Sequence, residues 1–127
     1  MSEIKPHNGA PRVAAFRYAL RGLVLLFTQH PHGRFHAMAA LVVLLLAIVL
    51  DLARWEWIAL LLCIGAVISM EALNSALEEL ADALHPDHHP GIGRAKDLAA
   101  GAVLFVAVVA ALVGALILLP PLLHHLK

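Results

Sequence analysis

The stretch WIALLLCIGAVISMEALNSALEELAD, residues 57–82, decides the fold. Its first fourteen residues, Trp57 to Met70, are uncharged and mostly apolar; Glu71, Asn74, Glu78, Glu79 and Asp82 then follow within twelve residues. Fourteen residues at about 1.5 Å each fall short of a hydrocarbon core about 30 Å thick, so the helix must run on into the acidic part. At about 100° per residue, with Glu71 as zero, Asn74 lies near −60°, Glu78 near −20° and Asp82 near +20°. These groups form one stripe about 80° wide, with Glu79 on its flank near +80°. Leu73, Leu77, Leu80 and Leu84 take the other side. One face of this helix is therefore rich in carboxylates at the edge of an apolar run.

The rest of the chain sets that helix in a membrane. Of 127 residues, 61% are hydrophobic and 14% charged, more apolar surface than one water-soluble core of this size could hide. The composition points to a single-domain integral membrane protein. Phe35 to Leu50 holds one polar residue, His36, and Leu98 to Leu119 holds no charge. Leu, Ala and Val dominate without the alternation of a lipid-spanning strand, so the elements are helices. Ahead of them, Val13, Phe16, Leu20, Leu23, Leu26 and Phe27 recur at spacings of three and four, with Arg12, Arg17 and Arg21 elsewhere. That pattern predicts a basic amphipathic helix in the membrane interface. The expected elements are a surface helix at 12–29 and membrane helices at 34–50, 55–84 and 94–119, an all-α fold.

The connections follow from turn chemistry. Asp51 to Glu56 reads as a tight turn flanked by Trp55 and Trp57, and His85 to Gly93 (HPDHHPGIG) as a loop that ends one helix near Leu84. The next helix is expected to restart near Arg94 and to close at Pro120 and Pro121. Lys5, Arg12, Arg17, Arg21, Arg34, Arg94 and Lys96 fall on one side of the spans, and Arg54 and Lys127 on the other. The positive-inside rule then puts the N-terminus and the second loop in the cytoplasm. The N-terminal segment, polar and broken by Pro6, Pro11 and Pro31, carries no cleaved-signal pattern.

Zero formal net charge provides no field that draws nucleic acid, and the single Cys63 can form no internal disulfide. Carboxylates at membrane depth are costly and are kept for a proton, an ion or a substrate. Glu71, one residue beyond Met70, has the strongest claim and suits a general base. A like-charged row also calls for a cation. Arg94 and Lys96 in GIGRAKD, at a helix start, make a weak phosphate cradle without the GxxxxGK[ST] pattern. His85, His88 and His89 surround Asp87, and solvated loop histidines explain them better than zinc. On these residues alone, a proton or ion pathway along the stripe fits as well as an enzyme. A scaffold that binds partners through small-residue helix faces is a third reading.

The pairing of EALNSALEELAD with HHPGIGRAKDLAAGAV resembles the small prokaryotic diacylglycerol kinase/undecaprenol kinase family. Its hallmark is E-x-x-N-[ST]-A-x-E-x-x-x-D followed by G-R-A-K-D and small residues. FRYALRGL and RFH upstream fit as well, so the resemblance covers about Arg12 to Ala110. It implies a homotrimer in the bacterial inner membrane and phosphoryl transfer from MgATP to a membrane lipid alcohol, diacylglycerol or undecaprenol. It further implies Glu71 as the base for the lipid hydroxyl, Glu78 as a magnesium ligand and Asn74 between them. Lys96 and Asp97 would contact the nucleotide, with His89 near it and Tyr18 at an aromatic position of the ATP site. The small residues Ala99, Ala100 and Gly101 match a tightly packed start of the last helix.

One position departs from the pattern. Some members carry a second magnesium-binding Glu where this chain has His30, beside Gln29. Magnesium prefers oxygen, so His30 is a poor direct replacement: either Gln29, water or ATP phosphates complete the shell, or metal affinity is reduced. Arg34 and His36 keep the R-[IF]-H pattern of the undecaprenol branch.

Overall fold

The computed structural model describes residues 12–127; Lys5, counted above for orientation, lies outside them. Four helices follow in order: α1 (Arg12–Gln29), α2 (Pro31–Val49), α3 (Arg54–Leu84) and α4 (Pro90–His125). The last three are long and apolar enough to cross a membrane. At about 1.5 Å per residue, α3 is roughly 46 Å long, more than the thickness of a hydrocarbon core of about 30 Å.

Each helix end has a local cause. α1 and α2 meet at His30, whose extended backbone caps α2, while Pro31 at the first helical position needs no donor there. The junction is tight: a Cβ built on Gly33 would lie 2.6 Å from the Leu26 carbonyl oxygen and 2.8 Å from its Cδ1. Between α2 and α3, Asp51 adopts a φ of 50°. The Asp51 amide donates to the Ile48 carbonyl and the Leu52 amide to the Ala47 carbonyl, the paired bonds of a Schellman turn with Asp where Gly is usual. Glu56 Oε2 then accepts from the Ala53 amide at 2.7 Å and closes the first turn of α3.

Three boundaries differ from the sequence reading. α4 begins at Pro90 rather than Arg94, because Pro at the first helical position has its φ preset and His89 caps the end. It also runs through Pro120 and Pro121 to His125 instead of stopping there. Proline's fixed φ is itself helical, so the pair costs two amide donors near the helix end without forcing the chain out. α2 likewise starts at Pro31, ahead of the expected residue 34.

α2 runs antiparallel to α3, and α3 antiparallel to α4, the most extensive pairing. At the end holding the Asp51 turn, Ala47, Leu60 and Ile117 form a buried cluster with Val43, Trp57 and Val113 packed against it. At the other end, α1 docks through the buried Leu26, while Val13, Phe16, Leu20 and Leu23 stay exposed.

Candidate functional site

The stripe on α3 grades from buried to exposed as it leaves the apolar run. Glu71 is 3% exposed, Asn74 8% and Ser75 5%; Glu78 is half-buried, and Glu79 and Asp82 are exposed. Helical periodicity thus places the first two turns of the stripe against neighbouring helices and lets the last emerge.

Each acidic group has a different partner. Glu71 Oε2 faces His36 Nε2 of α2 across 4.0 Å, with both side chains largely buried. Asn74 Nδ2 donates to Glu78 Oε1 at 3.2 Å, one helical turn on. Asn74 Oδ1 is buried without a hydrogen-bond partner. His30 Nε2 donates to Glu79 Oε1 at 2.9 Å and ties the α1–α2 junction to α3. Lys96 Nζ of α4 donates to Asp82 Oδ1 at 2.6 Å, so the expected cation reaches the exposed end of the row.

The remaining residues singled out in the sequence lie apart from this face. His89 Nδ1 accepts from the Gly91 amide at 3.1 Å and serves as the N-cap of α4. The anion-favouring helix start is therefore at Pro90, and Arg94 and Lys96 sit a turn inside it. Tyr18 is exposed on α1 with the Arg17 guanidinium 5.8 Å from its ring centre. Asp97 is exposed on α4. Among the described residues, no hydrogen bond or ion pair joins Tyr18, His89 or Asp97 to Glu71.

Sequence reasoning missed the contact of His36 with Glu71, the burial of Ser75 and two cavities of this region. His36 contacts Glu71, and its standing as the one polar residue in Phe35 to Leu50 was the available signal. Ser75 is buried behind Asn74. An apolar cavity of about 310 Å³ opens between α2, α3 and α4, with His36 in its lining. A smaller one of about 190 Å³ lies between α1 and α3, lined by His30, Ser75 and Glu79.

The oxygens on α3 suit a hard divalent cation. Asn74 Oδ1 has an unused lone-pair side in a buried position next to the Glu78 carboxylate, and Mg²⁺ takes carboxylate and amide oxygens. Among the described residues no three His, Cys, Asp or Glu side chains gather as a cage. Such an ion would rest on one or two protein oxygens plus phosphates and water, the usual habit of Mg²⁺.

Known proteins are similar to this chain over most of its length. The family model described as prokaryotic diacylglycerol kinase matches residues 17–118. This chain belongs to that family. The match takes in α1 after its first turns, all of α2 and α3 and most of α4, and so the whole stripe. An undecaprenol kinase of Bacillus subtilis is 40% identical over 85% of this chain and 88% of its own length. A diacylglycerol kinase of Synechocystis is 38% identical over 87% of this chain and 64% of its own. The Escherichia coli diacylglycerol kinase is 29% identical over 84% of this chain and 87% of its own.

Proposed function

We propose that this chain is a membrane lipid kinase that transfers the γ-phosphoryl group of ATP to the hydroxyl of diacylglycerol or undecaprenol. The observation that carries this reading is the buried Glu71 on one α3 face with Asn74 and Glu78. A desolvated carboxylate beside a metal-suited pair of oxygens is what hydroxyl activation next to a phosphate requires. Family membership supports the reaction class and the donor.

Glu71 accepts the proton of the lipid hydroxyl. The freed oxygen attacks the γ-phosphorus, the bond to the β-phosphate oxygen breaks, and ADP leaves. Glu78 and Asn74 Oδ1 would hold Mg²⁺, which when bound screens the β- and γ-phosphates. Lys96, reached through Asp82, and Asp97 contact the nucleotide, with His89 at the adjoining loop and Tyr18 over it from α1. Because this is positioning and electrostatics on a helical bundle, no P-loop is needed.

The chain sits in the bacterial inner membrane with the carboxylate end cytoplasmic, as the Lys and Arg distribution supports. α1 lies in the interface, where the exposed Val13, Phe16, Leu20 and Leu23 meet lipid. Three chains assemble, with Ala99, Ala100 and Gly101 allowing close approach.

Radiolabelled ATP supplied with each lipid in detergent micelles tests the reading. Transfer of label to either lipid is expected, and the two rates name the substrate. If neither lipid gains label while the protein carries protons or ions across vesicles, the stripe is a conduction pathway.

A further inference from the structure

The contact between His36 and Glu71 has a spacing that protein atoms alone do not explain. At 4.0 Å, His36 Nε2 and Glu71 Oε2 are too far apart for a direct hydrogen bond. They are close enough for one oxygen atom to bridge them, since two bonds of about 2.8 Å easily span that gap. Both groups are largely buried, and neither has another side-chain hydrogen bond among the described residues.

What lies beside this gap is apolar. Among the described residues, His36 is the one side chain with a nitrogen or oxygen atom lining the cavity of about 310 Å³, whose walls include Ala39, Val43, Ile64, Val67, Ala110 and Gly114. A volume near the lower limit of small-molecule sites, about 300 Å³, suits one hydrocarbon chain rather than a bulky headgroup. The small side chains of α4 leave the space, and the helices α2 and α3 wall it. His36 thus faces Glu71 and also lines an apolar cavity.

We propose that His36 is a positioning residue that seats the acceptor hydroxyl against Glu71, with one hydrocarbon chain of the same alcohol in the cavity. This deepens the kinase reading and rests on it. In the seat, the hydroxyl donates to Glu71 Oε2 and accepts from His36 Nε2–H, which leaves its second lone pair for phosphorus. During transfer the proton moves to Glu71 alone and His36 keeps its own. The histidine fixes where the oxygen stands; the carboxylate takes its proton. A single-chain alcohol fills this seat without placing a second chain, so a prenol is favoured over a diacylglycerol.

The test compares His36→Gln, whose amide nitrogen ends near the place of Nε2, with His36→Asn and His36→Leu, which leave that place empty. Binding of farnesol in dodecyl maltoside micelles is measured without ATP, and steady-state kinetics with undecaprenol follow. The Asn and Leu variants should bind farnesol about tenfold more weakly and show a raised KM for undecaprenol, while KM for ATP and Tm hold. The Gln variant should recover to within a few-fold of the parent. Ala110→Phe, which fills the cavity, should also lose farnesol.

Equal farnesol binding in all three His36 variants overturns the proposal. Equal impairment of Gln, Asn and Leu together with a lowered Tm does so too, since it marks packing rather than a donor. If the parent phosphorylates lipid and His36→Leu does so equally well, the seat fails and the kinase reading stands. If the parent binds farnesol in a His36-dependent way yet phosphorylates no lipid, the kinase reading fails.

Discussion

The two ends of the bundle are held by different physics. At the Asp51 end, the buried Ala47, Leu60 and Ile117 join the three long helices by apolar packing. At the opposite end the same helices meet through Glu71 with His36, Glu79 with His30 and Asp82 with Lys96. Packing is cheap to satisfy and tolerates no change of volume; polar pairs are costly to bury and fix direction. The lesson is a division of labour in which one end sets the helix positions and the other spends that order on aiming side chains.

Substitutions can break this contrast, the largest effect first. Glu71→Gln should lower turnover by about 10²–10⁴ while Tm in detergent stays the same or rises, as read by lipid-dependent ATP consumption and a melting curve. A parallel loss of folding would mean that the acidic end also holds the bundle together. Leu60→Ala should do the reverse, at a cost of about 2–5 kcal/mol in stability with KM and kcat of the folded fraction kept. Unfolding in a graded denaturant series with activity measured on the same samples checks it. Gly33→Ala forces a methyl group onto the Leu26 carbonyl and should destabilise the α1–α2 junction by about 1–3 kcal/mol. Faster proteolysis within α1, with α3 and α4 still protected, would locate the damage. Smallest is Asp51→Gly, which relieves a left-handed backbone and should change stability by no more than about 1 kcal/mol, upward, in the same melts.

The contrast also marks what the amino-acid pattern reveals. The apolar runs place α2, α3 and α4, and spacings of three and four residues place α1 at Arg12–Gln29, because these signals are local. Periodicity likewise puts Glu71, Asn74 and Glu78 on one face. It says nothing of which histidine each acid meets, since His30 comes from the α1–α2 junction and His36 from α2, both far back in the chain. The cavity escapes for the same reason, being made of space left by alanines on α2 and by alanines and a glycine on α4, with α3 as a wall. Pro120 and Pro121 mislead in the other direction. They are strong breakers within a helix, yet their own φ fits one, and near a terminus little is lost.

α3 has no break between Arg54 and Leu84, so the bearing of its acidic face is inherited turn by turn from the Asp51 end. One residue inserted after Gly65 would swing Glu71 by about 100° away from His36. Seven inserted residues would bring it back to within about 20° of its old bearing but push it about 10 Å along the axis. Compass direction and depth are therefore separately adjustable in this helix, and the contact of Glu71 with His36 requires both.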